Sequence, residues 1–272
     1  MSKKIDLSVI ILTYNEALHI KRCINSVKKF VREVIVIDSH STDNTLNICK
    51  KLKVRIYKNK FINQARQMNW ALKNINIKSK WIFRLDADEF IEKDSLNKIR
   101  DIIKFNNNIS GVIVERKVKF LNKIINYGLT SPHKTLRIWK TGKGKYPILE
   151  VDEQVKIKGR VFISDSIIVD NNLKNFKWWI NKHMNYSQRE AISYLKFKNK
   201  KNLFVSKDAV NKRNKYKIYY NFPILIRPLI LFIYAYLFKL GFLSGWQGLI
   251  YNLFQILWYR LLVDIKIIQL SK

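Results

Sequence analysis

The chain has 272 residues, 47% of them apolar, and a formal net charge of +32. This composition excludes disorder as the overall state, and the length suits one main domain with an appendage. The charge predicts attraction to polyanions such as nucleic acid, anionic lipid or a phosphorylated glycolipid, although AT-rich coding sequence also yields many Lys, Asn and Ile residues.

The N-terminus reaches a short apolar run and turns polar at residues 14–16. It has no long apolar region followed by a cleavage site, so no signal peptide is expected. The two cysteines, Cys23 and Cys49, lie in segments with a helical pattern. Because they provide neither a disulfide framework nor metal-ligand spacing, we expect a reducing, intracellular compartment.

The first hundred residues alternate apolar strands with amphipathic helices. Strands are predicted at 7–13, 33–38, 54–58 and 80–86, and helices at 16–30, 43–52 and 61–74. This alternation is typical of an α/β fold with a mostly parallel sheet covered on both faces. Ligands of such sheets gather at the carboxyl ends of the strands, where the strand order reverses. Polar clusters occur at three of these ends, at 13–16, 38–41 and 86–89.

The second half of the chain changes character twice. Residues 111–170 are rich in strand and turn signals, and 175–200 have a helical pattern. A basic stretch at 196–217 then leads into a densely apolar and aromatic segment. We therefore predict a catalytic domain at 1–220, with a donor half at about 1–110 and an acceptor half at about 111–220, and a helical tail at 221–272.

The tail is predicted to be amphipathic. Its longest uncharged stretch, 228–238, is shorter than the roughly 20 residues of a spanning helix, and 240–259 carries several Gly, Asn and Gln residues. We predict helices in the membrane interface, with the basic stretch on anionic headgroups. The alternative is a helical pair packed on the main domain or on a second subunit, as in a homo-oligomer.

Asp86 and Asp88 carry the chemical argument. Two carboxylates at i and i+2, directly after a buried strand, can share one divalent cation. Mg²⁺ and Mn²⁺ prefer oxygen ligands and bind one or two carboxylates together with substrate phosphates. Such an ion would neutralise the charge that develops on a departing diphosphate.

Other polar residues at the strand ends have two readings each. Asp38 ends a predicted strand and can accept hydrogen bonds from a base edge or a ribose. For Asp43 we favour an N-cap of the following helix. Asn15 and Glu16 suit either a helix start or a ligand contact.

Four motifs occur in order between residues 7 and 92: LTYNE, VIDSHSTDNT, FINQARQMNWAL and WIFRLDADE. Together they resemble family-2 glycosyltransferases, which have the A-type nucleotide-diphospho-sugar transferase fold. The QMNWAL and DADE segments, a later acidic pair and the apolar tail are most similar to lipopolysaccharide core glycosyltransferases of the β-1,4-glucosyltransferase type.

The resemblance implies a role for each matching position. The loop of Thr13, Tyr14, Asn15 and Glu16 would wrap the nucleoside, and Asp38 would recognise the base. Gln64 and Arg66 would steady the nucleotide pocket. Asp86 would lie near the ribose or the metal, and Asp88 would bind the metal, Mg²⁺ or Mn²⁺.

The resemblance also implies a catalytic base. A His-Glu pair is usual in the subgroup, and here the matching residues are Asp152 and Glu153. Glu153 is therefore the expected base, with Asp152 as the alternative. A base would deprotonate an acceptor hydroxyl in a single displacement that inverts the anomeric carbon.

The resemblance thus implies an enzyme that moves a hexose onto a lipid-anchored glycan at the inner face of a bacterial cell membrane. The expected donor is a UDP-hexose. A protein- or peptide-modifying transferase is the alternative acceptor class. A membrane-attached nucleic-acid-binding protein is a different class, but the aromatic residues do not interleave with the basic ones, so no nucleic-acid partner is expected. The acidic residues at 86, 88 and 153 argue against an inactive scaffold.

Two further features are expected to be structural. His133 is expected in a surface loop, although a phosphate contact with Arg137 nearby is the other reading. An aromatic stripe at helical spacing between 178 and 194 is expected to pack in a core.

Overall fold

The computed structural model describes residues 4–147, 154–199 and 218–271. The chain divides into two compact units. The first, here called the sheet unit, comprises Met1–Lys119 and His133–Leu173. The second, here called the helical unit, comprises Phe120–Pro132 and Lys174–Lys272. The predicted domain boundary at residue 220 stays a prediction.

The strands follow the predicted pattern of the first hundred residues and continue through the β-rich segment. They are β1 (Ile5–Thr13), β2 (Val31–Asp38), β3 (Arg55–Lys58), β4 (Trp81–Asp86), β5 (Glu89–Ile91), β6 (Ile109–Phe120), β7 (Lys123–Ile125), β8 (His133–Lys140), β9 (Gly144–Lys145), β10 (Lys156–Ile157) and β11 (Arg160–Asp170).

Within the described residues of the sheet unit, four helices connect the strands. They are α1 (Ile20–Val27), α2 (Thr45–Lys51), α3 (Gln64–Asn74) and α4 (Lys93–Phe105). The first three confirm the predicted helices, although α1 and α2 are shorter than the patterns that indicated them. Asn63 caps α3, because its side chain accepts a hydrogen bond from the amide of Arg66.

The main sheet has the strand order β3-β2-β1-β4-β8-β6-β11-β5. Strands β1 to β4 pair in parallel, whereas β8 is antiparallel to both β4 and β6. Strand β11 then runs parallel to β6. The expected α/β fold with a mostly parallel central sheet is confirmed, with antiparallel strands added in its second half.

Both faces of the parallel strands are covered by apolar side chains. Val9 and Ile11 face a core shared with α1, α2 and α4, while Ile10 faces a core shared with α3. This alternation explains why β1 is a continuous apolar run, since a strand buried on both faces has no polar side.

Gly111 lies inside β6. A Cβ atom there would lie 2.4 Å from Ile157 Cδ1 and 2.9 Å from Leu136 Cδ1. A larger residue at this position would force the ends of these two side chains to shift.

The helical unit contains α5 (Phe176–Asn199) and the helices of the tail. These are α6 (Arg227–Ile233), a π-helical turn (Tyr234–Phe238), a 3₁₀ turn (Gly241–Ser244), α7 (Gly245–Asn252), a second π-helical turn (Leu253–Trp258) and α8 (Tyr259–Ser271). Helices α5 and α8 share a core formed by Ala191, Tyr259, Val263 and Ile267.

The aromatic stripe of α5 takes part in this packing, as expected. His183 is buried, and its ring stacks on Trp179 with 3.7 Å between centroids. Its Nε2 atom lies 3.1 Å from Gln255 Oε1. Tyr186, by contrast, is exposed.

In the described part of the chain, no single helix is long and apolar enough to cross a membrane. Arg227–Phe238 and Gly241–Ser271 reach the required length and composition together, across a bend of 70°. Many apolar side chains of this region are exposed. We call the following residues the apolar face: Leu229, Ile233, Leu237, Phe238 and Trp246.

Candidate functional site

The sheet brings the three polar strand ends together. Strand β1 lies between β2 and β4, with Thr13 opposite Asp38 and Leu12 opposite Asp86. All three strands run in the same direction, so their carboxyl ends form one edge. The predicted cluster is therefore a feature of the sheet, as the alternating pattern implied.

Asp38 is completely buried, and nearby groups hold its carboxylate. Its Oδ1 atom accepts hydrogen bonds from Thr13 Oγ1 at 3.1 Å and Ser41 Oγ at 2.5 Å. Its Oδ2 atom accepts one from the Ser41 amide at 2.8 Å. The Asp38 carboxylate thus fixes the loop that follows β2.

Asn15 joins this loop to the one after β1. Its backbone is left-handed, with φ of 54°, and its amide donates to Ser41 Oγ at 2.9 Å. Its Oδ1 atom accepts hydrogen bonds from the amides of Thr42 and Asp43, at 2.8 and 3.3 Å. Neighbouring Tyr14 is 58% exposed, so an aromatic ring is available at the rim of the site.

Glu16 and Asp43 continue the same network. The Glu16 amide donates to Thr45 Oγ1 at 2.8 Å. Asp43 accepts from the amides of Thr45, at 2.9 Å, and Ala17, at 3.1 Å. The N-cap residue of α2 is Asn44 rather than Asp43, so that prediction was wrong by one residue, although the Asp43 carboxylate does hold the first amide of the helix.

Gln64 and Arg66 lie in the first turn of α3 but in different environments. Gln64 Oε1 accepts a hydrogen bond from Arg84 NH2 at 2.8 Å, which places it beside β4. The Arg66 side chain is exposed, and within the described ranges its guanidinium makes no hydrogen bond or ion pair. The structure therefore brings Gln64 to the strand ends and leaves Arg66 available to solvent.

Asp86 is held by two arginines. Arg84 Nε and NH2 donate to its Oδ1 at 3.2 and 3.1 Å, and both terminal nitrogens of Arg137 donate to its Oδ2 at 3.2 Å. Burial alone would raise the pKa of Asp86, but the positive charges of Arg137 and Arg84 hold that pKa well below its usual range. Asp86 is therefore ionised at neutral pH.

Glu89 is fully buried and lies next to Asp86. It accepts hydrogen bonds from Arg137 NH2 at 2.7 Å, from Arg116 Nε at 3.0 Å and from the Asp86 amide at 2.9 Å. Burial raises the pKa of Glu89, while Arg137 acts in the opposite direction. Arg116 also pairs with Asp170. We call these residues the arginine–carboxylate cluster: Arg84, Arg116, Arg137, Asp86, Glu89 and Asp170.

Asp88 has a different environment. Its Oδ2 atom accepts a hydrogen bond from Asn172 Nδ2 at 3.1 Å. Its Oδ1 atom has no hydrogen-bond partner among the described residues. Those residues contain no group of three or more His, Cys, Asp and Glu that could hold a metal ion.

Two sequence predictions fall outside this geometry. Asp152 and Glu153 lie in 148–153, outside the described residues. His133 is exposed, as expected, but it is the first residue of strand β8 and not part of a loop.

The arginine–carboxylate cluster was missed by the sequence analysis, although its signal was present. Arg84 lies inside the apolar strand WIFRLD, and Arg137 lies between the apolar residues Leu136 and Ile138 of HKTLRIWK. A charged residue in a buried strand must be paired, because an unpaired buried charge is very unfavourable. The sequence indicated that partners must exist but not which carboxylates they are.

Comparison with known proteins supports the resemblance. An uncharacterised glycosyltransferase of Rickettsia bellii is 38% identical over 107 residues, which cover 39% of this chain and 35% of that one. The chain thus spans about a third of the length of the first curated relatives it matches. The lipopolysaccharide core biosynthesis glycosyltransferase LpsC of Rhizobium meliloti is 28% identical over 171 residues, or 59% of this chain and 61% of LpsC.

Among solved structures, Staphylococcus aureus TarS has a TM-score of 0.45 and 18% identity, and the match covers 74% of this chain and 41% of TarS. The family model for glycosyl transferase family 2 matches residues 8–152, which is more than half of the chain and includes most of β1, all of β2 to β4 and their polar ends. The chain belongs to glycosyl transferase family 2.

Proposed function

We propose that the chain transfers a hexose from a nucleotide-diphosphate sugar, with UDP-hexose as the expected donor, to a lipid-anchored glycan such as the lipopolysaccharide core. The observation that carries this proposal is the common edge formed by Thr13, Asp38 and Asp86, with Asp88 directly after it. Ligands of parallel α/β sheets bind at such an edge. Family membership supports a sugar transfer reaction at this place.

A divalent cation, Mg²⁺ or Mn²⁺, is part of the proposal. Asp88 fits a hard cation, because one carboxylate oxygen is oriented by Asn172 and the other accepts no hydrogen bond from the described residues. Asp86 fits less well, since both of its oxygens already accept from guanidinium groups. We therefore assign the metal to Asp88 together with the donor diphosphate, and we assign Asp86 a supporting position next to it.

The proposed reaction is a single displacement. The acceptor hydroxyl oxygen forms a bond to the anomeric carbon while the bond from that carbon to the nucleotide diphosphate breaks, and the electron pair leaves with the diphosphate. Glu153 is proposed to take the hydroxyl proton, and Asp152 is the alternative. A bound cation would stabilise the negative charge on the leaving diphosphate.

The proposal is tested by calorimetry and transfer assays against a panel of nucleotide sugars with Mn²⁺. Asp88→Ala is expected to lose metal-dependent turnover and to keep its melting temperature. The matched control is Asp101→Ala, which removes an exposed carboxylate paired with neighbouring Arg100. Full turnover of Asp88→Ala with normal metal dependence would exclude the metal assignment.

The base is tested with two isosteric variants. Glu153→Gln is expected to bind the donor normally and to lose transfer, while Asp152→Asn is expected to retain it. The opposite pattern would move the base to Asp152.

A peripheral position at the inner face of the cell membrane completes the proposal. The apolar face supports it, because Leu237 is 53%, Phe238 73% and Trp246 61% exposed. Between residues 222 and 263 the sequence has no acidic residue, so anionic headgroups would meet no like charge there. Apolar side chains with aromatic residues are typical of helices that lie in the interface.

Vesicle flotation tests this position. Replacing Ile233, Leu237 and Phe238 together with serine is expected to release the protein from anionic vesicles. The control is Phe105→Ser, which removes an apolar side chain that is 70% exposed in the sheet unit. If the triple variant still floats with the vesicles, or if its only change is in oligomeric state, a second subunit would be favoured as the partner of this face.

The acceptor class is decided by competition. Lipopolysaccharide-core glycolipid and a cysteine- or serine-containing peptide, offered together with the donor, distinguish the proposed acceptor from the protein-modifying alternative. Transfer to the peptide alone would overturn the glycolipid proposal.

A further inference from the structure

The segment 171–173, directly after β11, reaches Asp88 although it lies more than eighty residues away in sequence. The Asn171 amide donates a hydrogen bond to the Asp88 carbonyl oxygen at 3.1 Å. Asn172 Nδ2 donates to Asp88 Oδ2 at 3.1 Å. The segment therefore holds both the backbone and the carboxylate of Asp88.

Helix α1 holds the same segment from the other side. Arg22 NH2 donates to two carbonyl oxygens, that of Asn171 at 2.5 Å and that of Asp88 at 3.1 Å. The Arg22 guanidinium also lies 5.1 Å from the ring centroid of Phe90. Arg22 thus joins the segment to the turn that carries Asp88.

His19 connects this arrangement to the loop after β1. Its Nε2 atom accepts a hydrogen bond from the Leu173 amide at 2.8 Å, so Nε2 carries no proton. The proton of the neutral ring is then on Nδ1, which lies 2.5 Å from Glu16 Oε2 and donates to it. His19 is fully buried, so this tautomer is fixed by its two partners.

We propose that Asn172 is a positioning residue for the cation at Asp88, and that Arg22 and His19 keep Asn172 in place. By holding Oδ2, the Asn172 amide orients Oδ1 for a metal. This inference rests on the proposed function, in which Asp88 binds that metal. Groups that orient a metal-binding side chain contribute strongly to affinity, and their loss typically weakens metal binding by about 10- to 100-fold.

The test uses Asn172→Ala in the full chain, with Mn²⁺ and UDP as probes. Mn²⁺ binding in the presence of UDP is measured from the electron paramagnetic resonance signal of the free ion. The expected result is a dissociation constant for Mn²⁺ raised about tenfold, with the turnover number at saturating Mn²⁺ within about threefold of the wild type. A role in folding alone would instead lower the melting temperature and the turnover number together.

The matched control is Asn107→Ala, an exposed asparagine just before β6 whose side chain makes no hydrogen bond within the described ranges. If Asn172→Ala does not fold, Asn172→Gln carries the test, because its longer amide cannot hold the same oxygen in the same geometry. An unchanged Mn²⁺ dissociation constant in the folded variant overturns the role of Asn172 alone. A wild-type chain that binds neither Mn²⁺ nor UDP overturns the proposed function, and this inference with it.

Discussion

Arg137 is the residue whose removal should most disturb the strand ends. It donates to Asp86 at 3.2 Å through two nitrogens and to Glu89 at 2.7 Å, and its side chain is 8% exposed. Removing one partner of a buried pair typically costs about 3–5 kcal/mol, because the remaining charge stays buried. Arg84 and Arg116 still face the two carboxylates in the variant, so we expect the lower end of that range.

The substitution is Arg137→Met, which keeps most of the apolar stem. A loss of about 3 kcal/mol in the free energy of unfolding corresponds to a melting temperature lower by roughly 6–12 °C for a chain of this size. The control is Arg32→Met, which breaks an exposed pair with Asp6, with side chains 53% and 39% exposed. That pair should contribute at most about 1 kcal/mol.

The loss should also depend on pH. In the wild type, burial raises the pKa of Asp86, but Arg137 and Arg84 hold it below its unfolded value of about 4. The ionised carboxylate therefore stabilises the fold above about pH 4, and this contribution to the free energy of unfolding is lost as the pH falls further. Without Arg137, the pKa values of Asp86 and Glu89 rise, and protonation relieves the variant as the pH falls. The difference in the free energy of unfolding between wild type and variant should therefore become smaller from pH 7 towards pH 4.

Urea unfolding followed by far-ultraviolet circular dichroism at pH 7 and pH 4.5 measures both effects. A loss no larger than that of the Arg32 control, or a difference that is the same at both pH values, would refute this reasoning.

Three further predictions concern other parts of the molecule. Burial raises the pKa of Cys23, and it raises the pKa of Cys49 to about 11. Both thiols should therefore react with a disulfide reagent at pH 8 far more slowly in the folded chain than in urea. Rapid labelling of the native protein would contradict this. Asn15→Gly keeps the left-handed backbone but loses the hydrogen bonds to two amides, so the free energy of unfolding should fall by about 1 kcal/mol. Asn15→Ala should lower it by roughly 1 kcal/mol more, because alanine disfavours the left-handed backbone. A higher urea midpoint for the alanine variant than for the glycine variant would contradict this. In the helical unit, Asp264→Leu leaves buried Arg227 without its carboxylate and should lower the free energy of unfolding by about 3–5 kcal/mol. Adding Arg227→Met should restore most of that stability. Equal melting temperatures of the single and the double variant would contradict this prediction.

The strands and helices that were predicted correctly are those whose signals lie in a few neighbouring residues. Strand β1 is a continuous apolar run, and α3 combines helical spacing with Asn63 as its cap, so both were predictable from a few neighbouring residues. The meeting of Thr13, Asp38 and Asp86 needed one further assumption, that the strands run parallel. That assumption followed from the alternation of strands with helices.

The partners of the aspartates depend on contacts that no local pattern reveals. Arg137 reaches Asp86 across 51 residues of sequence, and Asn172 reaches Asp88 across 84. Which of several buried charges pair is decided by strand order, and β8 enters the sheet antiparallel between β4 and β6. Asp86 and Asp88, two aspartates at the end of the same strand, therefore have different surroundings.

This difference bears on how a donor diphosphate would be held. The arginine–carboxylate cluster balances three guanidinium groups against three carboxylates, so the net charge of +32 is located elsewhere in the chain. The arginines of the cluster are thus already paired with carboxylates, and Arg22, which lies next to Asp88, donates to two backbone carbonyl oxygens. The carboxylate of Asp88 on its own would repel a diphosphate. A divalent cation bound there would reverse that repulsion, since a bound cation is often the largest local charge in a site. We therefore expect UDP to bind much more tightly with Mn²⁺ than without it, whereas equal affinity in the two conditions would require positive charge from Arg66 or the lysines instead.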